Sequence, residues 1–476
     1  MNVATGRLLP PRSRRRTPAP ASTLPWYGLA TFTFFFVTQR FPELFTEVGI
    51  YLALLGLVLR PEGLIFPPPL RWALAFLLWA SITALFAIVP DAAWPALLER
   101  LKALVIFFVV VNTLRTPQQL RVCILIILFA FLIYPVRGTL QGYVSGNTVF
   151  GRAIWNKMYS NPNELAGITL LMLGLALAVA SVKAQNRRVR LATTAFVPVL
   201  LLMILLTQSR GAFLGLLVGF GPPLLTRVRR QPSGAAAVLM ALVVVAMLVP
   251  AASWDRLKSM TQLGAAPSST AVQGPPSATR GQPSFYVQVA EASTQQRIEI
   301  LKTGWHIFLN NPILGVGIGC YNDANARLAP WLGLRDAHNT YLSLAAETGL
   351  PGLLLWLGLL GSVLAQVKRR CAPLQVADCP IQILWIKRGI IGYFAAGFFA
   401  TFSGLTMAYL FLGVLLAAAN VLGSDAPGPG RRRYNTAPAG TLRHGRGLKT
   451  SVNCTNATGP DSAAGLARPH RVRFPA

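Results

Sequence analysis

Apolar residues fill this chain in long runs, and short polar segments separate the runs. A helix that crosses a membrane needs about 20 predominantly apolar residues, and about twelve runs approach that length. The predicted spans are 26–38, 47–59, 70–89, 101–114, 120–136, 164–182, 191–207, 212–225, 234–252, 350–366, 389–403 and 405–422. The pattern predicts an all-α protein, a polytopic membrane helix bundle with about twelve transmembrane helices.

Composition supports a membrane protein. Hydrophobic residues make up 53% of the 476 residues, charged residues only 12%, and the mean hydropathy is +0.50. A soluble globular protein carries about 25% charged residues, so this chain lacks the polar surface of a large soluble enzyme. A disordered chain is excluded as well, because such chains are poor in apolar residues.

Basic residues indicate the orientation of the spans, because Lys and Arg concentrate in cytoplasmic loops. When the N-terminus is placed inside, every dense basic cluster falls in alternate loops. These clusters include Arg60 and Arg71, Arg115 and Arg121, Arg187 to Arg190, Arg227 to Arg230, Lys368 to Arg370, Lys387 and Arg388, and Arg431 to Arg433. We therefore expect an even number of spans with both termini in the cytoplasm.

The net charge of +29 raises the question of nucleic-acid binding. The basic residues are spread over short loops and two tails, and no module interleaves them with aromatic residues. A topology signal, with attraction to anionic lipid, explains them better. We expect the lipid bilayer as a partner and no nucleic acid.

The spans divide the chain into five parts. We predict a basic cytoplasmic N-terminal tail over 1–25, transmembrane helices 1–9 over 26–252, and a large external loop over 253–349. Transmembrane helices 10–12 follow over 350–422, and a basic, disordered cytoplasmic tail covers 423–476. A loop of that size between two spans is expected to be functional.

The large loop contains a predicted helix and a stop. From Thr294 onward, Ile298, Leu301, Trp305 and Phe308 recur at helical spacing. Asn311-Pro312 then ends the helix, because the residue before a proline is disfavoured in helical conformation.

Four histidines limit where proton transfer can occur. His444 and His470 lie in the C-terminal tail, and His306 lies beside Trp305, where a packed or surface role is favoured. His338 lies among polar residues at a predicted membrane boundary. A lone loop histidine is often structural, yet its pKa suits general-base catalysis near neutral pH, so His338 is the catalytic candidate.

Two arginines lie on the external side, where Lys and Arg are depleted. Arg210 separates two apolar runs, and an arginine near hydrocarbon depth is costly and indicates function, although it could instead extend to the lipid headgroups. Arg297 is weaker evidence by itself. Because guanidinium groups bind phosphate oxygens through paired hydrogen bonds, the pair suggests a site for a lipid-linked diphosphate. His338 would then accept a proton from an attacking hydroxyl.

No cofactor site is indicated by the sequence. The glycines of Gly315-Val316-Gly317-Ile318-Gly319 lack the strand and helix of a dinucleotide fingerprint and the lysine of a phosphate-binding loop, so a turn is favoured. Asp323, Asp336 and Glu347 are scattered, and the cysteines lack metal-ligand spacing. We expect neither a metal nor a cofactor.

Several short motifs resemble the O-antigen ligase and polymerase family of bacterial inner-membrane proteins. Residues 338–342 (HNTYL) and 347–352 (ETGLPG) are similar to the family's HN-x-x-L…E-x-G-x-x-G signature, which closes its large periplasmic loop. Residues 312–317 (PILGVG) are similar to its P-x-x-G-x-G stretch, and 209–211 (SRG) to the SRG that opens a span. Residues 160–163 (SNPN) are similar to the family as well. The resemblance covers roughly 143–361.

The resemblance implies a membrane glycosyltransferase of the bacterial inner membrane. Arg210 and Arg297 would bind the diphosphate of an undecaprenyl-diphosphate-linked glycan, and His338 would activate the acceptor hydroxyl at the periplasmic face. Direct displacement would invert the anomeric carbon without a metal. Asn339 and Glu347 are expected to support the site or the fold, with Glu347 a candidate helix cap.

Three functions remain open at this point. A ligase transfers the finished glycan to a lipid A-core sugar or a protein hydroxyl, and a polymerase joins repeat units on the lipid carrier; both carry nearly the same signature. A lipid-linked glycan transporter would share the span count. It ranks lower, since the chain shows no similar halves and few polar residues within its spans.

Overall fold

The computed structural model describes residues 23–59, 61–182, 186–230, 285–371, 380–402 and 406–423. Helices account for nearly all of the regular structure in these ranges. They are α1 (Thr23–Thr38), α2 (Glu43–Val58), α3 (Pro68–Leu85), α4 (Pro90–Thr113), α5 (Pro117–Phe131), α6 (Arg137–Val144), α7 (Pro162–Ala180), α8 (Arg187–Thr207), α9 (Arg210–Arg230), α10 (Phe285–Asn310), α11 (Tyr321–Leu328), α12 (Thr340–Cys371), α13 (Ile381–Ala396) and α14 (Thr406–Leu422). The two strands are β1 (Thr148–Val149) and β2 (Arg152–Ala153).

The predicted all-α membrane class is confirmed. Among the described residues, five helical segments are long and apolar enough to cross a membrane: Pro68–Leu85, Pro117–Val144, Pro162–Ala180, Arg187–Thr207 and Thr340–Cys371. Arg210–Thr226 and Thr406–Leu422 are shorter apolar helices. Every predicted span overlaps a helix except 234–252, which lies outside the described residues together with 1–22, the first part of the large loop (253–284), and 424–476.

The fifth predicted span continues beyond its expected end at residue 136. A π-helical turn, Leu132–Val136, contains Pro135 and joins α5 to α6. A proline removes one hydrogen bond of the helical ladder, and a π turn is one way to continue past it. The helix therefore extends to Val144, into the segment that the sequence pattern assigned to a loop.

The tenth predicted span begins earlier than expected. Helix α12 starts at Thr340, ten residues before predicted residue 350, and it breaks at Gly349, whose φ is +66°. A Cβ at Gly349 would collide with the Ile313 carbonyl oxygen, so glycine is required by both conformation and space. The Leu350 amide donates to the Pro312 carbonyl (2.8 Å) across the break.

Helix α10 ends at Asn310, as Asn311-Pro312 predicts, but its buried face differs from the predicted apolar stripe. Ile298, Leu301 and Trp305 are exposed, whereas Ile300 and Ile307 are buried. Packing of α10 against α11 and α12 determines which of its faces is buried. At this contact the Tyr321 hydroxyl donates to the Ile300 carbonyl (3.1 Å).

Two helices form the centre of the main apolar core. Nearly every residue of α7 and α14 is buried, including Leu170, Met172 and Leu415. By contrast, α2 and α3 expose large apolar side chains such as Tyr51 and Leu78. Large exposed apolar surfaces are rare on soluble monomers, so these faces are suited to lipid contact.

Glycines allow α13 to pack closely on its neighbours. A Cβ at Gly174 of α7 would lie 3.0 Å from the Cα of Gly389, and a Cβ at Gly392 would lie 2.7 Å from the Gly215 carbonyl oxygen of α9. Small residues permit this close approach of membrane helices. The packing positions the C-terminal end of α13 beside the start of α9, where the candidate site lies.

Candidate functional site

A short β-hairpin is the first element of the candidate site along the chain. Strands β1 and β2 pair antiparallel, with Thr148 opposite Ala153 and Val149 opposite Arg152. The two turn residues, Phe150 and Gly151, both have positive φ, which is the geometry of a tight two-residue hairpin turn. Arg152 on β2 is buried, with 8% of its surface exposed.

Arg152 connects the hairpin to two helix ends. Its Nε donates to the Thr207 carbonyl (2.8 Å) at the end of α8, and its Nη2 donates to Asn163 Oδ1 (2.7 Å) at the start of α7. Asn163 itself follows the α7 cap, where Asn161 Oδ1 accepts from the Asn163 amide (2.9 Å). The 160–163 motif thus forms a capped helix start that supplies a buried acceptor.

The turn that carries Arg210 is built into the same network. Gln208 ends α8 in the left-handed conformation, and its Nε2 donates to the Gly151 carbonyl (3.3 Å) of the hairpin. Ser209 Oγ donates to Asn163 Oδ1 (3.0 Å), and Arg210 follows as the first residue of α9. The half-buried Arg210 side chain therefore starts from a backbone that is held at several points.

His338 lies at the start of α12 in a strained conformation. Its φ is +49°, which is unfavourable for a residue with a Cβ and typical of functional sites. Asn339 next to it caps the helix, since its Oδ1 accepts from the amides of Tyr341 and Leu342 (both 3.0 Å). Thr340 connects this turn to the residues after α13. Its amide donates to the Gly397 carbonyl (2.8 Å), and its hydroxyl donates to the Ala400 carbonyl (2.7 Å).

Burial lowers the pKa of His338 to about 4, and the positive charges of Arg297, Arg152 and Arg335 contribute to the same lowering. All three charges act in the same direction, because a positive charge disfavours the protonated imidazole. The imidazole is therefore neutral at physiological pH. A neutral imidazole can accept a proton.

Arg297 reaches this region from α10. It is partly buried and lies one helical turn before Ile300, on the face that contacts α11 and α12. The close packing continues at Gly304, where a Cβ would lie 3.0 Å from Leu342 Cδ2. Packing against α12 explains why Arg297 and His338 come together.

Arg210 and His338 border the same short segment. A Cβ at Gly211 would lie 2.8 Å from the Ala396 carbonyl oxygen, and Thr340 binds the carbonyls of Gly397 and Ala400. The start of α9 and the start of α12 thus meet at the end of α13. The structure brings Arg210, Arg297 and His338 to one end of the helix bundle.

Two carboxyl groups, those of Asp336 and Glu164, lie close to each other. Burial raises the pKa of Asp336, and Asp336 is close enough to Glu164 of α7 to repel it.

Among the described residues, no group of three His, Cys, Asp or Glu side chains could hold a metal ion. Metal independence of the reaction remains a prediction.

Asn339 and Glu347 have different structural roles. Asn339 caps α12, whereas Glu347 is a buried residue two positions before the break at Gly349. Glu347 Oε1 accepts from Ser343 Oγ (3.4 Å), and the Glu347 carbonyl accepts from the Gly317 amide (3.0 Å). A role for Glu347 in capping the part of α12 that follows Gly349 stays a prediction.

The glycine segment 315–319 packs as turns. Gly315, Gly317 and Gly319 all have positive φ, and the Val316 amide donates to the Ala346 carbonyl (2.9 Å). The segment supports the broken part of α12 through backbone hydrogen bonds.

Sequence reasoning missed Arg152. The available signal was the one that selected Arg210, an arginine on the side where basic residues are depleted. Its hydrogen bonds to Thr207, 55 residues away, depend on tertiary structure.

Fold and site together define a polytopic α-helical membrane protein with a neutral histidine among arginines at one end of its bundle. Residues 195–357 match the family model described as O-antigen ligase. This match confirms the resemblance seen in the motifs, and residues 195–357 are therefore similar to the O-antigen ligase family. The matched range contains Arg210, Arg297 and His338; Arg152 precedes it. A comparison with curated proteins finds no match.

Proposed function

We propose that this protein is a glycosyltransferase of the ligase type that moves a glycan from undecaprenyl diphosphate to an acceptor hydroxyl, on a lipid A-core sugar or a protein. The observation that carries the proposal is that the turn bearing Arg210 and the turn bearing His338 meet at the end of α13. The low pKa of His338, to which burial and the charges of Arg297 and Arg152 contribute, agrees with it. Arginines suit a diphosphate, and a neutral histidine suits a hydroxyl that must lose its proton. The family match supports a lipid-linked glycan as donor.

The proposed reaction is a single displacement. Arg210 and Arg297 bind the donor diphosphate and stabilise the negative charge that develops on it. The acceptor oxygen attacks the anomeric carbon, the bond from that carbon to the diphosphate oxygen breaks, and the hydroxyl proton passes to His338. Attack opposite the leaving group inverts the anomeric configuration, and the residues assigned need no metal.

Topology is part of this proposal. We place both termini in the cytoplasm of a bacterium, about twelve spans in its inner membrane, the 253–349 loop in the periplasm and the site at the periplasmic face. The alternating basic loops support this orientation.

In vitro transfer tests the proposed function. Wild type and His338→Ala, Arg210→Ala and Arg297→Ala variants are purified in detergent and given a lipid-diphosphate-linked glycan with acceptor, chelator and no ATP. We expect transfer by the wild type, a loss of about 10²–10⁴-fold for His338→Ala, and a loss of about tenfold or more for each arginine variant. The exposed residues His306 and Arg137 supply matched alanine controls.

The products separate the alternatives. A glycan on lipid A-core or protein supports a ligase, and lengthened chains on the carrier lipid support a polymerase. Full activity of a folded His338→Ala variant would refute the base assignment. If the wild type leaves the donor covalently unchanged, a flux assay in liposomes would test the transporter function.

A further inference from the structure

We propose that Arg152 is a positioning residue that holds Arg210 in place for the donor diphosphate. This inference rests on the proposed function, because it takes Arg210 as a diphosphate ligand. The positioning itself is a structural statement that can be tested separately.

The hydrogen bonds of Arg152 enclose the turn before Arg210. Its Nε binds the carbonyl of Thr207, three residues before Arg210, and its Nη2 binds Asn163 Oδ1. Asn163 Oδ1 also accepts from Ser209, the residue directly before Arg210. The guanidinium thus holds the end of α8 directly and the start of α9 through one shared amide oxygen.

The hairpin makes this anchor rigid. Arg152 pairs with Val149 in the ladder, so its backbone is fixed, and the Gly151 carbonyl accepts from Gln208 Nε2 (3.3 Å). Gln208 has φ +50°, a conformation that needs support from its surroundings in a residue other than glycine. The hairpin therefore supplies contacts to both sides of the turn.

Arginine is the side chain that fits this task. Its planar group presents donors at fixed angles, so two acceptors on different helices can be bound at once. Lysine would keep the charge but has one flexible nitrogen without the fork geometry. Charge and geometry can therefore be separated by substitution.

The first test measures positioning without any substrate. Amide hydrogen exchange is followed in peptides that cover residues 205–212 of the full-length protein, in wild type, Arg152→Gln, Arg152→Lys and the exposed control Arg137→Gln. We expect faster exchange around Gln208 and Ser209 in both Arg152 variants and wild-type exchange in the control. Unchanged exchange in a folded Arg152→Gln variant would overturn the proposal.

The second test measures binding of undecaprenyl diphosphate. We expect Arg152→Gln to weaken the Kd by about tenfold, because a displaced Arg210 loses its charge-assisted contact with the diphosphate. Arg152→Lys should weaken the Kd nearly as much. In an Arg210→Gln background, the additional effect of Arg152→Gln should largely vanish, because residues that act through one group are not additive. Equal additional losses in both backgrounds would overturn positioning through Arg210. Wild-type affinity in Arg152→Lys would overturn it as well, because the charge would then suffice without the geometry of the guanidinium group.

The two tests fail in different ways. If exchange loosens in the variants but the wild type does not bind undecaprenyl diphosphate, the proposed function is wrong and the positioning stands. If Arg152→Gln does not fold, amide exchange over residues 205–212 is compared with the wild type in Arg152→Lys and Asn163→Ala instead. Asn163→Ala removes the oxygen that Arg152 and Ser209 share, so it should loosen the same amides, and wild-type exchange in both would overturn the proposal.

Discussion

At the scale of single residues, the environment of His338 sets when it can act as a base. Burial and three arginines lower its pKa to about 4, below the ordinary value of 6.5. Because the charged form is disfavoured, the imidazole stays neutral as pH falls until it approaches pH 4. It loses the ability to accept a proton below that point.

The pH dependence of transfer should show this. We expect the acid limb of kcat/KM, which reports the free enzyme, to fall near pH 4 and not near 6.5. The acid limb of kcat should lie higher, because the bound diphosphate offsets the arginines and makes protonation easier. Rates are measured from pH 3.5 to 8 with donor varied. An acid limb of kcat/KM at 6.5 would contradict the assignment of His338.

At the scale of elements, two helix features determine whether the site forms. The start of α12 depends on the Asn339 cap, and the middle of α12 depends on the break at Gly349. Both lie within the HNTYL and ETGLPG motifs, so those motifs encode structure as well as chemistry.

Substitution of Gly349 should destabilise the fold. An alanine at φ +66° is strained, and its Cβ would collide with the Ile313 carbonyl. We expect Gly349→Ala to cost on the order of 1–3 kcal/mol and to lower the thermal unfolding midpoint in detergent by several degrees. Gly361→Ala in the same helix is the control, since nothing lies within 4 Å of its added Cβ. Equal stability of the two variants would argue against the break.

Loss of the α12 cap should reduce activity more than stability. Asn339→Ala removes the acceptor for two amides and is expected to cost about 1 kcal/mol of stability. Because His338 directly precedes this cap, transfer should fall further than that loss explains, whereas Asn339→Asp should retain both properties. The comparison needs transfer rates and melting curves of the two variants. Equal activity of Asn339→Ala and Asn339→Asp would show that transfer does not depend on the cap.

At the scale of the whole molecule, sidedness decides where the reaction occurs. Gly63 follows α2, near the basic residues assigned to the cytoplasm, and Gly146 and Gly333 lie in segments assigned to the periplasm. All three have positive φ, so a cysteine carries some backbone strain at each, but the space around an added Cβ is open.

Labelling of these positions tests the topology. In a variant without the five native cysteines, we expect a membrane-impermeant maleimide added to spheroplasts to label Gly146→Cys and Gly333→Cys. Gly63→Cys should react only after the membrane is opened. Labelling of Gly63→Cys in sealed spheroplasts would reverse the proposed orientation and move the site to the cytoplasmic face.

The class of protein, the positions of most helices and the family could be predicted from the residues alone, because apolar runs and short motifs are local properties. The predicted topology also assigned His338, Arg210 and Arg297 to the same side of the membrane. Element ends were harder: a π turn continues α5 past Pro135, and α12 starts before its apolar run, at residues that Asn339 caps.

Which groups share the site depends on how the helices pack. The inward face of α10 is set by packing against α11 and α12, not by its most apolar stripe. Arg152 joins through hydrogen bonds to residues 11 and 55 positions away. The low pKa of His338 comes from burial and from charges on other segments. Such long-range contacts leave no pattern in the residues on either side, since they exist only once the helices have packed.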